Sequence, residues 1–139
     1  MEAQVRPPAS PDGPRGLRPV ILVVDDEPGL RESFHLILDE DFEVIDVPDG
    51  LAALDVVRSS QVDLVLLDIR LPGMDGWEVL SALQGDPVTA EIPVIVVSIV
   101  DERARGLAMG AREYLLKPVG RKELRGALAR TGALPKEVP

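Results

Sequence analysis

The fold of this chain is decided by the stretch Val62-Asp63-Leu64-Val65-Leu66-Leu67-Asp68-Ile69-Arg70-Leu71-Pro72-Gly73-Met74-Asp75-Gly76. Four apolar residues, 64–67, end abruptly on the carboxylate Asp68, and a turn rich in proline and glycine follows. A run that is so short and apolar on both faces is typical of a buried strand in a parallel sheet. Ligands of such sheets bind beyond the carboxyl ends of the strands, where Asp68 would lie.

Four other segments are predicted to be strands, and three of them also end on polar residues. Numbered along the chain with 64–67 as strand three, strand one is followed by two acids, strand four ends on a hydroxyl and strand five ends on a lysine. The second alternates in part between apolar and polar residues, as a half-buried edge strand does. These segments are 20–24 followed by Asp25 and Asp26, 42–47, 93–98 ending on Ser98, and 112–117 ending on Lys117.

Helical periodicity between these strands predicts five helices with one buried face each. The apolar residues expected to face the core include Leu51 in the second helix and Trp77 in the third. The first helix is predicted to start at Pro28, the second near Gly50 with Asp49 as its cap, and the third near Asp75. The fourth helix is predicted to span 102–109 with Asp101 as its cap, and the fifth to run from about 120 to 130.

Alternating strands and helices predict an α/β fold, a doubly wound parallel sheet with helices on both faces and right-handed crossovers. The strand order 2-1-3-4-5, taken over from the flavodoxin-like fold, places 42–47 at an edge, as its alternation suggests. Residues 1–18 are rich in proline and glycine and are expected to be a disordered arm or linker. Residues 19–131 then form the single domain, and 132–139 a flexible tail.

The composition excludes several classes of protein. The chain has no cysteine, so it has no disulfide framework, thiol chemistry or zinc finger. Its net charge of −9 argues against direct binding to nucleic acid. No apolar run approaches the length of a membrane span and no signal peptide is visible, so we expect a cytoplasmic protein without membrane contact.

His35, the only histidine, is expected to be a surface residue rather than a phosphodonor.

In the predicted strand order, strands one, three, four and five are neighbours, so the polar residues at their ends converge. Three close carboxylates repel one another, and a hard divalent cation relieves that repulsion. Magnesium suits such a site because it accepts a few carboxylates, keeps waters and leaves positions for phosphate oxygens. The ammonium adds positive charge and the hydroxyl a hydrogen-bond donor. The converging residues are Asp25, Asp26, Asp68, Ser98 and Lys117.

Asp68 is the predicted nucleophile of this site. A carboxylate can attack phosphorus and form an aspartyl phosphate. Phosphoryl transfer needs mainly positioning and charge stabilisation, which the metal, the lysine and the hydroxyl would supply. Asp68 is chosen because its strand lies between the strand that carries the metal-binding acids and the strands that carry the hydroxyl and the lysine.

These residues resemble those of the receiver domain of bacterial two-component response regulators. The resemblance covers about residues 19–131, and it is specific because all the motifs occur in order and at strand ends. The motifs are Val23-Val24-Asp25-Asp26-Glu27, Asp68-Ile69-Arg70-Leu71-Pro72-Gly73-Met74-Asp75-Gly76, Ser98, Gly110-Ala111 and Tyr114-Leu115-Leu116-Lys117-Pro118.

The resemblance implies a phosphoacceptor in a phosphorelay rather than a conventional enzyme. Asp68 would accept a phosphoryl group from a histidine kinase or a histidine phosphotransfer protein. Asp26 would bind magnesium directly and Asp25 mostly through water. Asp68 and the backbone carbonyl of Arg70 would complete the protein ligands.

The resemblance also implies a switch. Lys117 would pair with the phosphate and would be joined to Pro118 by a cis peptide bond. Ser98 would move toward the phosphate, and Tyr114 would turn inward behind it, unless Tyr114 is a plain edge-strand residue. The surface of the fourth helix, fifth strand and fifth helix, residues 102–130, would then bind a downstream protein or a second copy. This surface is locally basic, and an ordinary solvated face is its other interpretation; the basic residues are Arg103, Arg105, Arg121, Lys122, Arg125 and Arg130.

Four positions depart from the pattern of this family. Ile99 stands where the family usually has a small residue, and Arg70 is longer than many residues at its position. Both side chains would shield the phosphate at the mouth of the site. Alternatively, Ile99 points into the core. Arg112 replaces an acid, and Val119 stands where DNA-binding subfamilies often have Phe. With no output domain after the last helix, the chain is expected to be a single-domain regulator or a receiver from a larger protein such as a hybrid kinase.

Two other functions use similar residues. A haloacid-dehalogenase-like phosphatase also has a strand-end aspartate with magnesium, but it needs a second aspartate where this chain has Arg70. A pseudo-receiver is an interaction module that takes no phosphate, and such modules lose site residues that this chain keeps. The sequence therefore favours the phosphoaccepting receiver, with the pseudo-receiver as the alternative.

Overall fold

The computed structural model describes residues 18–132. The predicted arm and tail lie outside the described residues except for Arg18 and Gly132, so the domain boundaries remain predictions. Five strands alternate with five helices, as the sequence predicts. The elements are β1 (Val20–Val24), α1 (Pro28–Leu38), β2 (Glu43–Val47), α2 (Gly50–Ser59), β3 (Leu64–Leu67), α3 (Gly76–Gly85), β4 (Val94–Ser98), α4 (Arg103–Ala108), β5 (Glu113–Leu116) and α5 (Arg121–Arg130).

The strands form one parallel sheet in the order β2-β1-β3-β4-β5, which confirms the predicted fold. Its register aligns the carboxyl ends of the strands, because Val24 of β1 lies opposite Leu67 of β3. The next residues along the chain, Asp25 and Asp68, therefore leave the sheet side by side. Ser98, the last residue of β4, lies at the same edge.

Two apolar cores cover the two faces of the sheet. On one face, α1 and α5 pack through Phe34, Leu38, Leu124 and Leu128, and on the other face α2 and α3 supply the apolar residues. β1, β3 and β4 are buried along their whole length, whereas β2 is mostly half-buried apart from Val47. The predicted edge position of β2 is confirmed. No helix within residues 18–132 has the length and apolar character that would let it span a bilayer.

The sequence predicts the buried faces of α2 and α3 correctly except at one position in each helix. Leu51 is 65% exposed, and α2 buries Gly50 and Ala53 in its place. Gly50 lies close to α3, since an added Cβ there would lie 2.6 Å from the side chain of Val79, and Leu51, the next residue, turns outward. In α3, Val79 takes the core position and Trp77 remains partly exposed.

The predicted cap of the fourth helix is wrong, whereas that of the second is confirmed. The N-cap of α4 is Glu102 rather than Asp101, and the helix is only six residues long. The guanidinium of Arg105 lies 4.0 Å from the centroid of the Trp77 ring, which ties this short helix to α3. Asp49 caps α2 as predicted, since its carboxylate accepts a hydrogen bond from a backbone amide of the first turn.

His35 lies partly exposed on α1, where both ring nitrogens face carboxylates. Nδ1 is 2.8 Å from Asp39 and Nε2 is 2.9 Å from Asp46 of β2. The hydrogen bond with Asp46, supported by Asp39, raises the pKa of His35 against the opposing effect of burial. The same bond with His35 lowers the pKa of Asp46. When protonated, the imidazole therefore helps to hold α1 against the edge strand.

We expect His35→Gln to lower the free energy of unfolding more at about pH 5 than at about pH 8.5. Because folding raises the pKa of His35, its stabilisation is complete below the unfolded pKa of 6.5 and is lost as the pH rises through the folded pKa. The cluster is partly exposed, so the difference should not exceed about 1 kcal/mol. Urea unfolding of both proteins at both pH values measures it. A difference that does not change with pH would contradict a role for the imidazolium.

Candidate functional site

Three carboxylates converge at the carboxyl edge of the sheet. One oxygen from each of Asp25, Asp26 and Asp68 lies within 4.8 Å of the other two. Asp25 and Asp68 are 1% and 5% exposed, whereas Asp26 is open to solvent. Negative charges this close repel one another strongly where water is excluded. The cluster therefore needs compensating positive charge.

Lys117 supplies part of that charge from the end of β5. Its Nζ donates hydrogen bonds to Oδ2 of Asp25 and to Oδ2 of Asp68, both at 3.0 Å. Burial disfavours the charged ammonium, but the two carboxylates outweigh that effect and raise the pKa of Lys117. Its backbone amide donates to the carbonyl of Ser98 at 2.9 Å, and its peptide bond to Pro118 is cis. The structure therefore brings the predicted lysine between two of the predicted acids.

Asp68, directly after β3, is held by a hydrogen bond to each of its oxygens. Oδ1 accepts from the backbone amide of Arg70 at 3.1 Å, and Oδ2 accepts from Lys117. Burial raises the pKa of Asp68 in spite of these bonds, and the nearby charge of Asp25 acts in the same direction. A carboxylate that is desolvated and fixed in one orientation is suited to act as a nucleophile.

Ser98 and Tyr114 both make hydrogen bonds to the backbone of Val100. Ser98 is fully buried, and its hydroxyl oxygen accepts from the amide of Val100 at 3.1 Å. The Tyr114 hydroxyl donates to the carbonyl of Val100 and accepts from the amide of Glu102 at 3.2 Å. The ring is 4% exposed and fills space left by Gly106, where an added Cβ would lie 2.6 Å from it. Both side chains thus hold the loop between β4 and α4.

Two cavities open beside the cluster. One, of about 580 Å³, is lined by Asp26, Arg70 and Trp77 among others. The second, of about 420 Å³, is mostly apolar, lies between α1 and the end of β5, and includes Ile99 and Lys117 in its wall. Ile99 is 63% exposed, so it does not lie in the core, and its place at the mouth of the site remains a prediction.

The donor set fits a magnesium ion. Three carboxylates face one ammonium, so the cluster keeps an excess of negative charge that a divalent cation would neutralise. All three donors are hard oxygens, and Asp26 faces the larger cavity, which leaves room for water or phosphate oxygens. Arg70 lies beside the cluster through the bond from its amide to Asp68. Its carbonyl as a metal ligand remains a prediction.

Three residues that shape the site were not given these roles from the sequence. An added Cβ at Gly76 would lie 2.4 Å from the carbonyl oxygen of Asp68, so a glycine lets α3 start directly against the end of β3. Gly106 makes room for the Tyr114 ring. Arg31 donates from Nη1 to the carbonyl of Asp25 at 2.7 Å. Glycine at a helix start gives a weak signal, but nothing in the local pattern reveals the contact of Arg31.

Similarity to known proteins agrees with this geometry. Residues 21–129 match the family model of the response regulator receiver domain. The chain is 40% identical over 103 residues to the response regulator PleD of Caulobacter vibrioides, covering 71% of this chain and 23% of that protein. It is 39% identical over 112 residues to the DNA-binding response regulator MtrA of Mycolicibacterium smegmatis, covering 78% of this chain and 48% of that protein. The chain thus spans less than half the length of these curated relatives.

Solved structures show the same fold. The signal receiver domain of a signal transduction histidine kinase from Syntrophus aciditrophicus superimposes with a TM-score of 0.75 at 31% identity, covering 87% of this chain and 96% of that one. The receiver domain of the sensor histidine kinase PA1611 from Pseudomonas aeruginosa, described with a magnesium ion coordinated in its active site cleft, gives 0.75 at 27% identity, covering 81% and 96%. The family match, the relatives and the sheet order together establish that this chain belongs to the response regulator receiver domain family.

Proposed function

We propose that this chain is a phosphoacceptor in a two-component phosphorelay and that Asp68 receives the phosphoryl group. The observation that carries this proposal is the arrangement of Asp68, which is buried, shares the ammonium of Lys117 with Asp25 and lies within 4.8 Å of Asp26. The donor would be a histidine kinase or a histidine phosphotransfer protein, since receiver domains partner with histidine kinases. The chain would modify itself once rather than turn over a substrate, so we class it as a signalling protein.

We infer that magnesium is the cofactor. Asp26 and Asp68 would bind it with the backbone carbonyl of Arg70, and Asp25 would act mostly through water. When bound, the ion would neutralise the acids and the oxygens of the incoming phosphoryl group. The spacing of the three carboxylates supports this inference, as does the magnesium described for the similar receiver domain of Pseudomonas aeruginosa.

Three side chains of the site would have different roles in the phosphoryl transfer. A carboxylate oxygen of Asp68 would attack phosphorus, forming an O–P bond while the N–P bond of the donor phosphohistidine breaks and its imidazole leaves. Lys117, which lies against Asp68 already, would pair with an oxygen of the transferred group. The hydroxyl of Ser98, whose oxygen accepts from the amide of Val100, would donate its proton to another oxygen of the group.

The Ser98 hydroxyl would also couple phosphorylation to the conformation of a surface of the domain. Ser98 and Tyr114 both bind the backbone of Val100, so a shift of Ser98 would move the loop that Tyr114 also holds. The affected surface is α4, β5 and α5, through which residues 102–130 would bind a downstream protein or a second copy. The net charge of −9 does not favour direct binding of this domain to nucleic acid, and we propose a cytoplasmic location.

The function is tested by incubating the protein with a small phosphodonor, with and without magnesium. We expect a gain in mass of one phosphoryl group that requires the metal. A protein that binds magnesium yet gains no mass with a small donor or with phosphorylated kinases would instead support the alternative, a pseudo-receiver that acts as an interaction module.

We expect Ile99→Ala to accelerate loss of the phosphoryl group by about tenfold, equivalent to about 1.4 kcal/mol in the barrier. The acyl phosphate is lost when water attacks in line, and the exposed Ile99, which lines the same cavity as Lys117, would restrict that approach. Because Ile99 is exposed, its truncation should change stability by no more than about 0.5 kcal/mol. The decay of phosphorylated protein, followed by mass, measures the effect.

The matched control is Leu36→Ala, which truncates an apolar side chain of α1 that is 78% exposed. This variant should lose phosphate at the rate of the unchanged protein. Equal decay rates for Ile99→Ala, Leu36→Ala and the unchanged protein would contradict shielding by Ile99.

A further inference from the structure

Arg31, near the start of α1, joins the acid cluster to the edge strand of the sheet. Its Nη1 donates to the backbone carbonyl of Asp25 at 2.7 Å, and its Nε donates to Oδ2 of Asp46 at 2.8 Å. The side chain is 18% exposed. A guanidinium is planar and rigid, so two acceptors on two different strands fix its position.

The carbonyl that Arg31 binds belongs to the peptide bond between Asp25 and Asp26. The orientation of this peptide plane determines the directions in which the two carboxylates leave the backbone. The other hydrogen bonds of Asp25 do not involve this carbonyl: its amide donates to the carbonyl of Val47 at 3.2 Å, and its carboxylate accepts from the amide of Glu27 at 2.9 Å and from Nζ of Lys117 at 3.0 Å. Arg31 therefore supplies the restraint on the carbonyl side of that peptide.

We propose that Arg31 is a positioning residue, which sets the geometry of the acid cluster by holding the peptide plane between Asp25 and Asp26. Asp46 is its anchor, so the edge strand β2 acts on the site through Arg31. The consequence for magnesium rests on the proposed function, since it requires these acids to be the ligands. The consequence for the backbone at Asp25 and Asp26 does not require a metal.

Loss of the positive charge of Arg31 and loss of its hydrogen bond to Asp25 should have opposite effects on magnesium binding. The guanidinium is a cation near the site of a divalent cation, so removing its charge alone would strengthen magnesium binding. Loss of the hydrogen bond to Asp25 would misalign the acids and weaken binding. Partners that orient metal ligands typically change metal affinity by about 10- to 100-fold when removed. The sign of the change therefore separates the two effects.

The first experiment measures magnesium affinity by calorimetry in the unchanged protein, Arg31→Gln and Arg31→Lys. We expect Arg31→Gln to bind magnesium about tenfold more weakly. Arg31→Lys should fall between the two, because an ammonium can donate to the carbonyl but lacks the rigid fork that reaches both acceptors. Equal or tighter binding by Arg31→Gln would overturn the proposal.

The control is Arg125→Gln, which breaks another partly exposed ion pair at the opposite end of β2, where Arg125 donates to Asp41 at 2.6 Å. It should lower stability and leave magnesium affinity unchanged. An equal loss of affinity in Arg125→Gln would show that Arg31→Gln acts through general destabilisation, and would overturn the proposal.

The second experiment follows amide hydrogen exchange in the metal-free proteins. Exchange at residues 25–27 should be faster in Arg31→Gln than in the unchanged protein and in Arg125→Gln. Unchanged exchange there would overturn the positioning role, even if the unchanged protein proves unable to bind magnesium. A failure of the proposed metal site alone would appear differently, as absent magnesium binding together with faster exchange in Arg31→Gln.

Discussion

Asp68→Asn is expected to abolish phosphorylation by small donors and by kinases. The amide keeps the shape of the side chain and its oxygen can still accept from the amide of Arg70, but its nitrogen then faces the ammonium of Lys117, and it lacks the charge and nucleophilicity of a carboxylate. Because burial raises the pKa of Asp68, loss of its charge should offset the lost bond to Lys117, and the variant should remain folded in the assay. Intact mass after incubation with a small phosphodonor and magnesium measures the loss.

The matched control is Asp63→Asn, which changes the carboxylate that precedes β3 at the other end of the strand. Asp63 accepts from the amide of Val20 at 2.7 Å, so this variant should lose some stability and keep full phosphorylation. Trapping the acyl phosphate and mapping it by peptide mass completes the test. Label on another residue of the unchanged protein, or label that persists in Asp68→Asn, would exclude Asp68 as the acceptor.

The fold was predictable because each buried strand is short, apolar on both faces and ended by a polar residue. The run 64–67 followed by Asp68 carries this signal most clearly, and the partial alternation of 42–47 identified the edge strand. The residues alone did not determine the strand order, because periodicity says nothing about which strands are neighbours. The order of the flavodoxin-like fold was taken over, and the structure confirms it.

The details that sequence could not supply depend on contacts between elements. Helical periodicity predicts the buried face of α2, but it shows neither the close approach of α2 to α3 at Gly50 nor the exposure of Leu51. The acids, Lys117 and Ser98 were found because each ends or follows its own strand. Arg31 reaches Asp25 from a helix through one hydrogen bond to a backbone carbonyl, and a single sequence carries no pattern for such a bond.

Lys117→Met is expected to slow phosphorylation of Asp68 by about 10²- to 10³-fold, the usual cost of losing one fixed group that stabilises developing charge. Methionine keeps most of the volume of the side chain and removes its charge. In the metal-free protein, Asp25 and Asp68 would lose their shared ammonium, so the free energy of unfolding should fall by about 3 kcal/mol. Phosphorylation rates with a small donor and urea unfolding measure these two effects, and Lys122→Met on the exposed face of α5 is the control.

Magnesium affinity should rise in the same variant, although its phosphorylation rate and its free energy of unfolding fall. Nζ of Lys117 lies 3.0 Å from two of the carboxylates that the ion would use, so ammonium and metal compete for the same negative charge. Without the ammonium, Lys117→Met should bind magnesium more tightly, and added magnesium should restore part of the lost stability. Slower phosphorylation with tighter metal binding would mean that Lys117 acts on the transferred group. If magnesium affinity fell together with the rate, Lys117 would instead act by arranging the acids, and its assignment to the phosphoryl group would be wrong.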